Sequence, residues 1–461
     1  MSTSDTPKAI DTTLIVFLMI VAAAALTWVV PPGSFDTVAL EVPGAGTRDV
    51  VVPGSYERLD ARSPQGIGAV LRAPIRGLVE AADVVGFVLL VGGAFAVLQA
   101  TGAVERALRS LVRAAERSPL LEAAIIPTFM ALFSLGGAVF GMAEETIPFV
   151  LIFVPLARSL GYDAIVGVAI PFVGSQAGFA AAFLNPFTVG VAQGIAEVPL
   201  FSGIGLRIVL WGVTTAIAIA FVVRYARRIR TAPDPGAART PPDAAPVGPA
   251  NRTGPVLLTF TAGIGLLVYG VLRHGWYIEE IAALFVGVGI AVGVVGRLGP
   301  GRIAREFMEG ARDLVATAVI IGLARGILVV LEDGMIVDTL LQAMAGVLDG
   351  VGSVGAAQGM FAVQTVLNFF VPSGSGQAAL TMPLMAPLAD LTGLTRQVAV
   401  LAFQMGDGFT NLIIPTNPVL MGAISLAGVS WTRWARWMVP LQLILFALGL
   451  AALAIAVTGG F

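Results

Sequence analysis

The sequence predicts an all-α polytopic membrane protein made of two inverted repeats, with about nine transmembrane helices, two re-entrant hairpins and two broken helices. Three observations predict it. Of 461 residues, 57% are hydrophobic and 12% charged, about half the ~25% charged share of soluble domains. Apolar runs near the ~20 residues that span a bilayer follow one another along the chain. Polar, Gly/Pro-interrupted stretches occur twice in this apolar background, at one constant spacing.

Composition removes several function classes. The formal net charge is −2 and there is no basic patch interleaved with aromatics, so nucleic acid is not an expected partner. The chain has no Cys, which excludes disulfides, thiol chemistry and Cys-based metal sites. Its one His, His274, ends an apolar segment beside Arg273 and reads as interfacial. No HExxH helix, GxSxG elbow or GxxxxGK(S/T) loop is present, which argues against a membrane enzyme or an ATP-driven pump. No cofactor is expected beyond a coupling ion.

Taken in order, the chain opens on polar MSTSDTPKAIDTT and a retained first span, Leu14 to Val30. A polar stretch to about Pro64 follows, in which VVPGSY (Val51 to Tyr56) reads as a short strand and turn. Gln65 to Glu80 reads as an amphipathic interfacial helix with Leu71, Ile75 and Leu78 on one side. Asp83 to Ala100 spans, and Glu105 to Arg117 is charged. Leu120 to Leu160 is interrupted by LFSLGGAVFGMAEETIP. Its arms of about 15 residues are short for a span and suit a re-entrant hairpin. Asp163 to Gln193 holds GSQAG and NPFTVG and reads as a broken helix. Gly205 to Val223 spans.

Arg224 to Pro255 is basic, then Pro/Ala/Gly-rich, and reads as a cytoplasmic linker. It separates a first repeat, 1–223, from an extra helix and second repeat, 256–461. Val256 to Leu272, Ile278 to Val295 and Asp313 to Leu331 span, the last carrying Arg325. Arg302 to Arg312 is amphipathic and Ile336 to Leu348 interfacial. Gln358 to Leu391 is a second hairpin with PSGSGQ at its tip. Gln397 to Ala423 is a second broken helix, and Met438 to Val457 is the last span.

The repeat rests on register. Asn185-Pro186 recurs as Asn417-Pro418, 232 residues later. The same spacing pairs Gly174 with Gly406, Gly161 with Gly393, Pro155 with Pro387 and Gly102 with Gly334. It sets Glu144-Glu145 opposite Gly376-Gln377. Pro32-Gly33 matches Pro300-Gly301 if the first copy carries an insertion in the polar loop before Pro64. For orientation, an N-terminus inside puts 18 of the 27 Lys and Arg on the inner side. The first hairpin then enters from the cytoplasm and the second from outside.

Ionisable groups at membrane depth cost at least ~2.5 kcal/mol each on insertion scales and are functional candidates by default. Glu144, Glu145, Asp407 and Arg325 qualify. Three carboxylates against one guanidinium make an acidic centre suited to Na⁺, H⁺ or a substrate's cationic group. Hairpin tips and half-helix N-termini offer N–H groups to a carboxylate. Together they fit a zwitterionic or basic amino acid better than a dianion. Arg325 is either a bidentate carboxylate fork or a salt-bridge partner. Asn185 and Asn417 are either ligands or caps of the helix breaks. The full candidate set takes Glu144, Glu145 and Thr146 from the first tip, and Gly174, Ser175, Asn185 and Thr188 from the first broken helix. It adds Arg325, then Ser373, Ser375 and Gln377 from the second tip, and Asp407, Thr410, Asn411, Thr416 and Asn417 from the second broken helix.

GMAEETIPF, GYDAIVG, NPFTVGVAQGIAEVP, SGSGQAALTMPLMAPLADL and GDGFTN…PTNP together resemble the YfcC-type transporter family, over nearly the whole chain. That family is grouped with the anaerobic C4-dicarboxylate carriers and the arginine/ornithine antiporters in the ion-transporter superfamily. The resemblance implies inverted repeats around a midplane site, and a scaffold with a mobile transport domain working as a homodimer. It implies a secondary active transporter of the bacterial inner membrane, moving basic amino acids in an elevator-like way with Na⁺ or H⁺. A C4-dicarboxylate carrier is the alternative, and a membrane enzyme or receptor a distant one. Relatives hold substrate and sodium with Ser-Asn-Thr-type tips. Here the tips read Ala143-Glu144-Glu145-Thr146 and Ser373-Gly374-Ser375-Gly376-Gln377.

Overall fold

The structure is a computed structural model that describes residues 12–42, 46–52, 54–230, 252–276, 278–346 and 352–461. Helix α1 (Thr12–Val29) leads into four short strands, β1 (Gly33–Ser34), β2 (Thr37–Val42), β3 (Gly46–Val51) and β4 (Glu57–Arg58). They pair antiparallel as β1 with β4 and β2 with β3. The strand and turn expected at Val51 to Tyr56 fall at the end of β3 and the residues after it. This loop is tied down on the second half of the chain: Phe35 N–H donates to Asp338 at 3.0 Å, and Tyr56 meets Thr339 at 3.0 Å.

Helices α2 (Ile67–Glu80), α3 (Ala82–Ala100) and α4 (Ala103–Arg117) follow, then α5 (Pro119–Phe140) and α6 (Thr146–Ser159), which form the first hairpin. The first broken helix runs through α7 (Ala164–Val168), a π-turn and α8 (Gly174–Ala180), breaks, and resumes through a second π-turn into α9 (Val191–Ile195). Helix α10 (Ile204–Ile229) takes in the basic start of the expected linker; the rest of that linker, 231–251, lies outside the described residues. Then come α11 (Thr253–His274), α12 (Ile278–Val295), α13 (Pro300–Asp313), α14 (Val315–Asp333) and α15 (Val337–Gly346). The second hairpin is α16 (Ser353–Phe370) with α17 (Gly374–Leu391), and the second broken helix is α18 (Arg396–Thr410) with α19 (Pro418–Leu426). Helix α20 (Trp431–Thr458) closes the chain.

Three expectations need correcting. Among the described residues, six helices (α3, α5, α10, α11, α12 and α20) are long and apolar enough to cross a membrane, or seven if α13 and α14 form one span bent by 44°. About nine were expected. The shorter apolar helices are Val16–Val29, Thr146–Ser159, Ala164–Ala180 and Leu380–Leu391. Second, the first arm of the first hairpin has 22 residues rather than about 15. Ser134, Gly136 and Gly137 looked like an interruption, but the helix runs through them, and Ser134 and Gly137 are helix-crossing contacts. Ser134 bonds Thr215 at 2.6 Å and accepts from Trp211 at 2.9 Å. A Cβ on Gly137 would sit 2.1 Å from the Ser175 carbonyl, so α5 and α8 pack backbone to backbone there.

Third, the side of α2 that carries Leu71, Ile75 and Leu78 is divided, because Leu78 packs on Gly322 of α14. The buried residues of α2 are Val70, Ala73 and Gly77, and a Cβ on Gly77 would meet Gly322 O at 2.1 Å. Small residues on α2 and α14 therefore bring the two backbones together. Leu71 and Ile75 point outward, 66% and 64% exposed.

The constant spacing reappears in the helix ends. Ala164 and Arg396 begin the two broken helices, and Pro186 and Pro418 begin the parts after the breaks, each 232 positions apart. Gly174 is pressed on Met130 and Phe133, and Gly406 on Phe361, Gln364 and Thr365, so both glycines serve the same crossing in their own halves. The two broken helices cross each other next to Asp407: a Cβ on Gly408 would lie 2.2 Å from Ala180 Cα.

Candidate transport site

A cavity of about 80 Å³ lies where the two tips meet the two breaks. The first tip gives it Gly141, Ala143 and Glu144, and the second gives Pro372, Ser373 and Gly374. The first broken helix contributes Gln176, Phe179, Phe187 and Thr188, and the second Asn411, Asn417 and Val419. Three pairs of these positions, Gly141 with Ser373, Phe179 with Asn411 and Phe187 with Val419, are again 232 residues apart. Segments distant in sequence therefore converge on one small space by equivalent positions.

Each tip is built by local bonding. In the first, Gly141 ends α5 with φ +74°, a conformation that suits glycine, and lies tight against the Asn185 amide. Ser175 donates to Met142 O. Thr146 Oγ1 donates to Ala143 O at 2.6 Å, and the Ala143 N–H donates to Glu145 at 2.9 Å. Glu145 thus closes the turn, and it faces the apolar cleft between the first hairpin and α11–α12, while Glu144 faces the polar cavity. In the second tip, Ser373 caps α17, its Oγ accepting from Gly376 N–H at 3.4 Å. Gln377 is fully buried and donates to Gln364 O at 2.9 Å and Oε1 at 2.7 Å. Ser375 is half-buried beside it.

The breaks leave backbone groups that must be satisfied inside the protein. Asn185 and Asn417 cap the helices that follow: their Oδ1 atoms accept from Phe187 N–H and Val419 N–H, each at 2.9 Å. Both are therefore caps by geometry, and Asn417 in addition lines the cavity. In the second break, Trp434 and Trp431 donate to Leu412 O and Ile413 O, each at 2.9 Å. Thr410 bonds back to Gly406 O at 2.6 Å.

Asp407 is fully buried behind Gly374. Its Oδ1 accepts a 3.4 Å bond from Asn411, and its Oδ2 lies 3.4 Å from where a Cβ on Gly374 would stand. Asn368 steadies this corner, donating to Asp407 O at 2.9 Å and to Asn411 Oδ1 at 3.0 Å. Buried oxygens at this corner and on the cavity wall have no partner: Asp407 Oδ2, Asn368 Oδ1, Gln176 Oε1 and the Thr188 hydroxyl. Hard oxygen donors beside a carboxylate are the donor set of an alkali or alkaline-earth cation.

The expected residues therefore divide. Glu144, Thr188, Ser373, Asn411 and Asn417 line the cavity. Asp407 sits behind it, while Thr146, Ser175, Thr410 and Glu145 hold its walls; Gln377 is bonded to Gln364 and Thr416 is buried without lining the cavity. Gly174 is a helix crossing. Arg325 is elsewhere: it pairs with Glu80 of α2 at 3.4 Å, in a cluster with Arg76 and Asp333. Sequence reasoning missed Gln176, Phe179, Phe187 and Asn368. Gln176 sits inside GSQAG, the segment already singled out. Asn368, a lone amide in apolar LNFF, was the signal for the floor.

With this geometry in hand, relatives can be compared. The model of the C4-dicarboxylate anaerobic carrier family matches residues 10–458. The chain belongs to this family. It is 38% identical, over 92% of both chains, to YfcC of Escherichia coli (strain K12), a protein whose name marks it provisionally as a basic amino acid antiporter. It is 30% identical, over 96% of both chains, to an uncharacterised protein of Haemophilus influenzae (strain ATCC 51907 / DSM 11121 / KW20 / Rd). Among solved structures it is similar to the YdaH transporter of Alcanivorax borkumensis, with 18% identity, a TM-score of 0.43 and coverage of 98% of this chain and 99% of that one. The chain is a multi-pass membrane transporter of this family.

Proposed function

We propose that the protein is a secondary active transporter of the bacterial inner membrane that takes up or exchanges basic amino acids, coupled to Na⁺ or H⁺. The observation that carries this reading is the charge of the cavity. Glu144 lines it, Asp407 lies behind it, and no Lys or Arg is among its described lining residues. An acidic, desolvated pocket favours a cation. The guanidinium that would have favoured a dianion, Arg325, is engaged by Glu80. At the head of α17 the N–H groups of Gly374 and Ser375 are offered to an α-carboxylate, with the Glu144 carboxylate in the same cavity for the ammonium or guanidinium. The unpartnered oxygens around Asp407 suit the coupling ion.

In this reading the halves 86–223 and 318–455 are inverted copies, and the N-terminus is cytoplasmic. The tips move with the broken helices as the mobile part of an elevator, in a homodimer. A C4-dicarboxylate remains the second reading, favoured by the family's name. Counterflow into proteoliposomes with labelled arginine, ornithine, lysine, succinate and fumarate tests the choice. Exchange of the cationic amino acids is the expected result. Exchange confined to the dicarboxylates overturns it.

A further inference from the structure

Among the described residues, the buried guanidinium of Arg207 has no counter-charge. It stands at the head of α10, the outer end of that span in the topology above, and is 1% exposed. Its Nη2 reaches Gln397 Oε1 at 3.4 Å, while Nε and Nη1 have no partner. Among the described residues no Asp or Glu pairs with it. The nearby acid, Glu197, is held by Arg396 at 2.9 Å. The one acceptor Arg207 has is shared, because Gln193 also donates to Gln397 Oε1, at 3.3 Å. Gln193 Oε1 is in turn taken by Phe201 N–H at 2.5 Å. The corner thus holds more donors than acceptors.

At the positions 232 residues away, the other half has Val439 for Arg207, Ile165 for Gln397 and Ser425 for Gln193. Val439 is 44% exposed, so the other half buries no charge at this place. A buried charge left without a partner is strongly unfavourable. Because Arg207 is buried within a single chain, neither lipid nor a second copy can reach it.

We propose that the free Nε and Nη1 of Arg207 head a binding site for a compact monovalent anion at the start of α10; the amides of Gln193 and Gln397 beside it are held by Ser202. The ligand is an acceptor that takes the free Nε and Nη1 donors, either a halide or the carboxylate of a solute. Guanidinium forks suit such acceptors. This site is separate from the cavity at the tips and does not depend on the identity of the transported amino acid.

The test is the melting temperature of the purified full chain in detergent at constant sodium and ionic strength. Bulky gluconate is replaced by chloride in one arm and by acetate in another. Wild type is expected to gain several degrees, saturably, with at least one of them, since a ligand of the folded state stabilises by mass action. Response to chloride marks an inorganic ion, and response to acetate a carboxylate. Arg207→Met is expected to lose the shift. Should that variant not fold, Arg207→Lys keeps the charge but loses the fork, and its midpoint is expected to rise about tenfold. A wild type that responds no more than Arg207→Met, or a midpoint unchanged in Arg207→Lys, overturns the proposal.

Discussion

The two hairpin tips occupy equivalent places and are built differently. In the first, residues 141–145 form an irregular turn, and α6 begins only at Thr146. In the second, α17 begins at Gly374, which corresponds to position 142, so one more helical turn fills the place where the first tip carries its two glutamates. One tip therefore brings a carboxylate to the cavity, and the other brings the N-terminus of a helix. A solute with a cation at one end and a carboxylate at the other is matched by that difference, whereas two identical tips would select two identical charges.

The sharpest way to break this comparison lies beneath the second tip. Asp407→Asn keeps the shape and removes the charge. Driven uptake in proteoliposomes is expected to fall to background under imposed Na⁺ or pH gradients, with the melting temperature in detergent little changed. Uptake at the wild-type rate would remove Asp407 from coupling and shift the role to Glu144.

Next in size, Glu144→Gln is expected to raise KM for a cationic amino acid about tenfold or more, ~1.4 kcal/mol per decade, without loss of stability. Glu145→Ala should do the reverse. It strips the acceptor from Ala143 N–H and costs ~1 kcal/mol of stability, read as a lower melting temperature at near-normal KM. Equal effects on KM from the two variants would contradict the assignment of one glutamate to the cavity and the other to the turn.

A subtler effect tests the second tip's closeness. A Cβ on Gly374 would lie 2.5 Å from Thr188 Cγ2, so Gly374→Ala overpacks the contact by ~1–3 kcal/mol and should slow uptake severalfold. Thr188→Ser removes that methyl and keeps the hydroxyl. The double variant is expected to recover most of the rate, and a double variant as slow as Gly374→Ala would show that the contact is not the cause. The smallest effect belongs to Arg325→Gln. Its partner is Glu80, and both side chains are about a third exposed, so at most ~1 kcal/mol of stability is at stake. Wild-type KM is expected in uptake assays, and a tenfold change would return Arg325 to the substrate.

Much of the architecture was legible in the sequence, and for a definite reason. Hydropathy, and the way Gly and Pro break a helix, act over a few neighbouring residues. Both breaks at Asn185 and Asn417, and the 232-residue spacing of the helix starts around them, could therefore be read directly. The length of α5 could not. Ser134 and Gly137 carry the same local signal whether they break a helix or let another helix approach, and only the presence of α8 decides which.

The site divides along the same line. The sequence by itself determined that the chain is a membrane transporter and that its polar residues gather at two tips and two breaks. It could not say which way each residue faces. Glu144 and Glu145 are adjacent, and their separation into a cavity ligand and a turn clasp depends on how the tip is bonded to Ser175 and Asn185. Arg325 and Arg207 are both arginines in apolar helices. The tertiary structure pairs one with Glu80 of α2 and leaves the other without an acid, because the direction of a side chain around a helix axis is set by what packs against that helix.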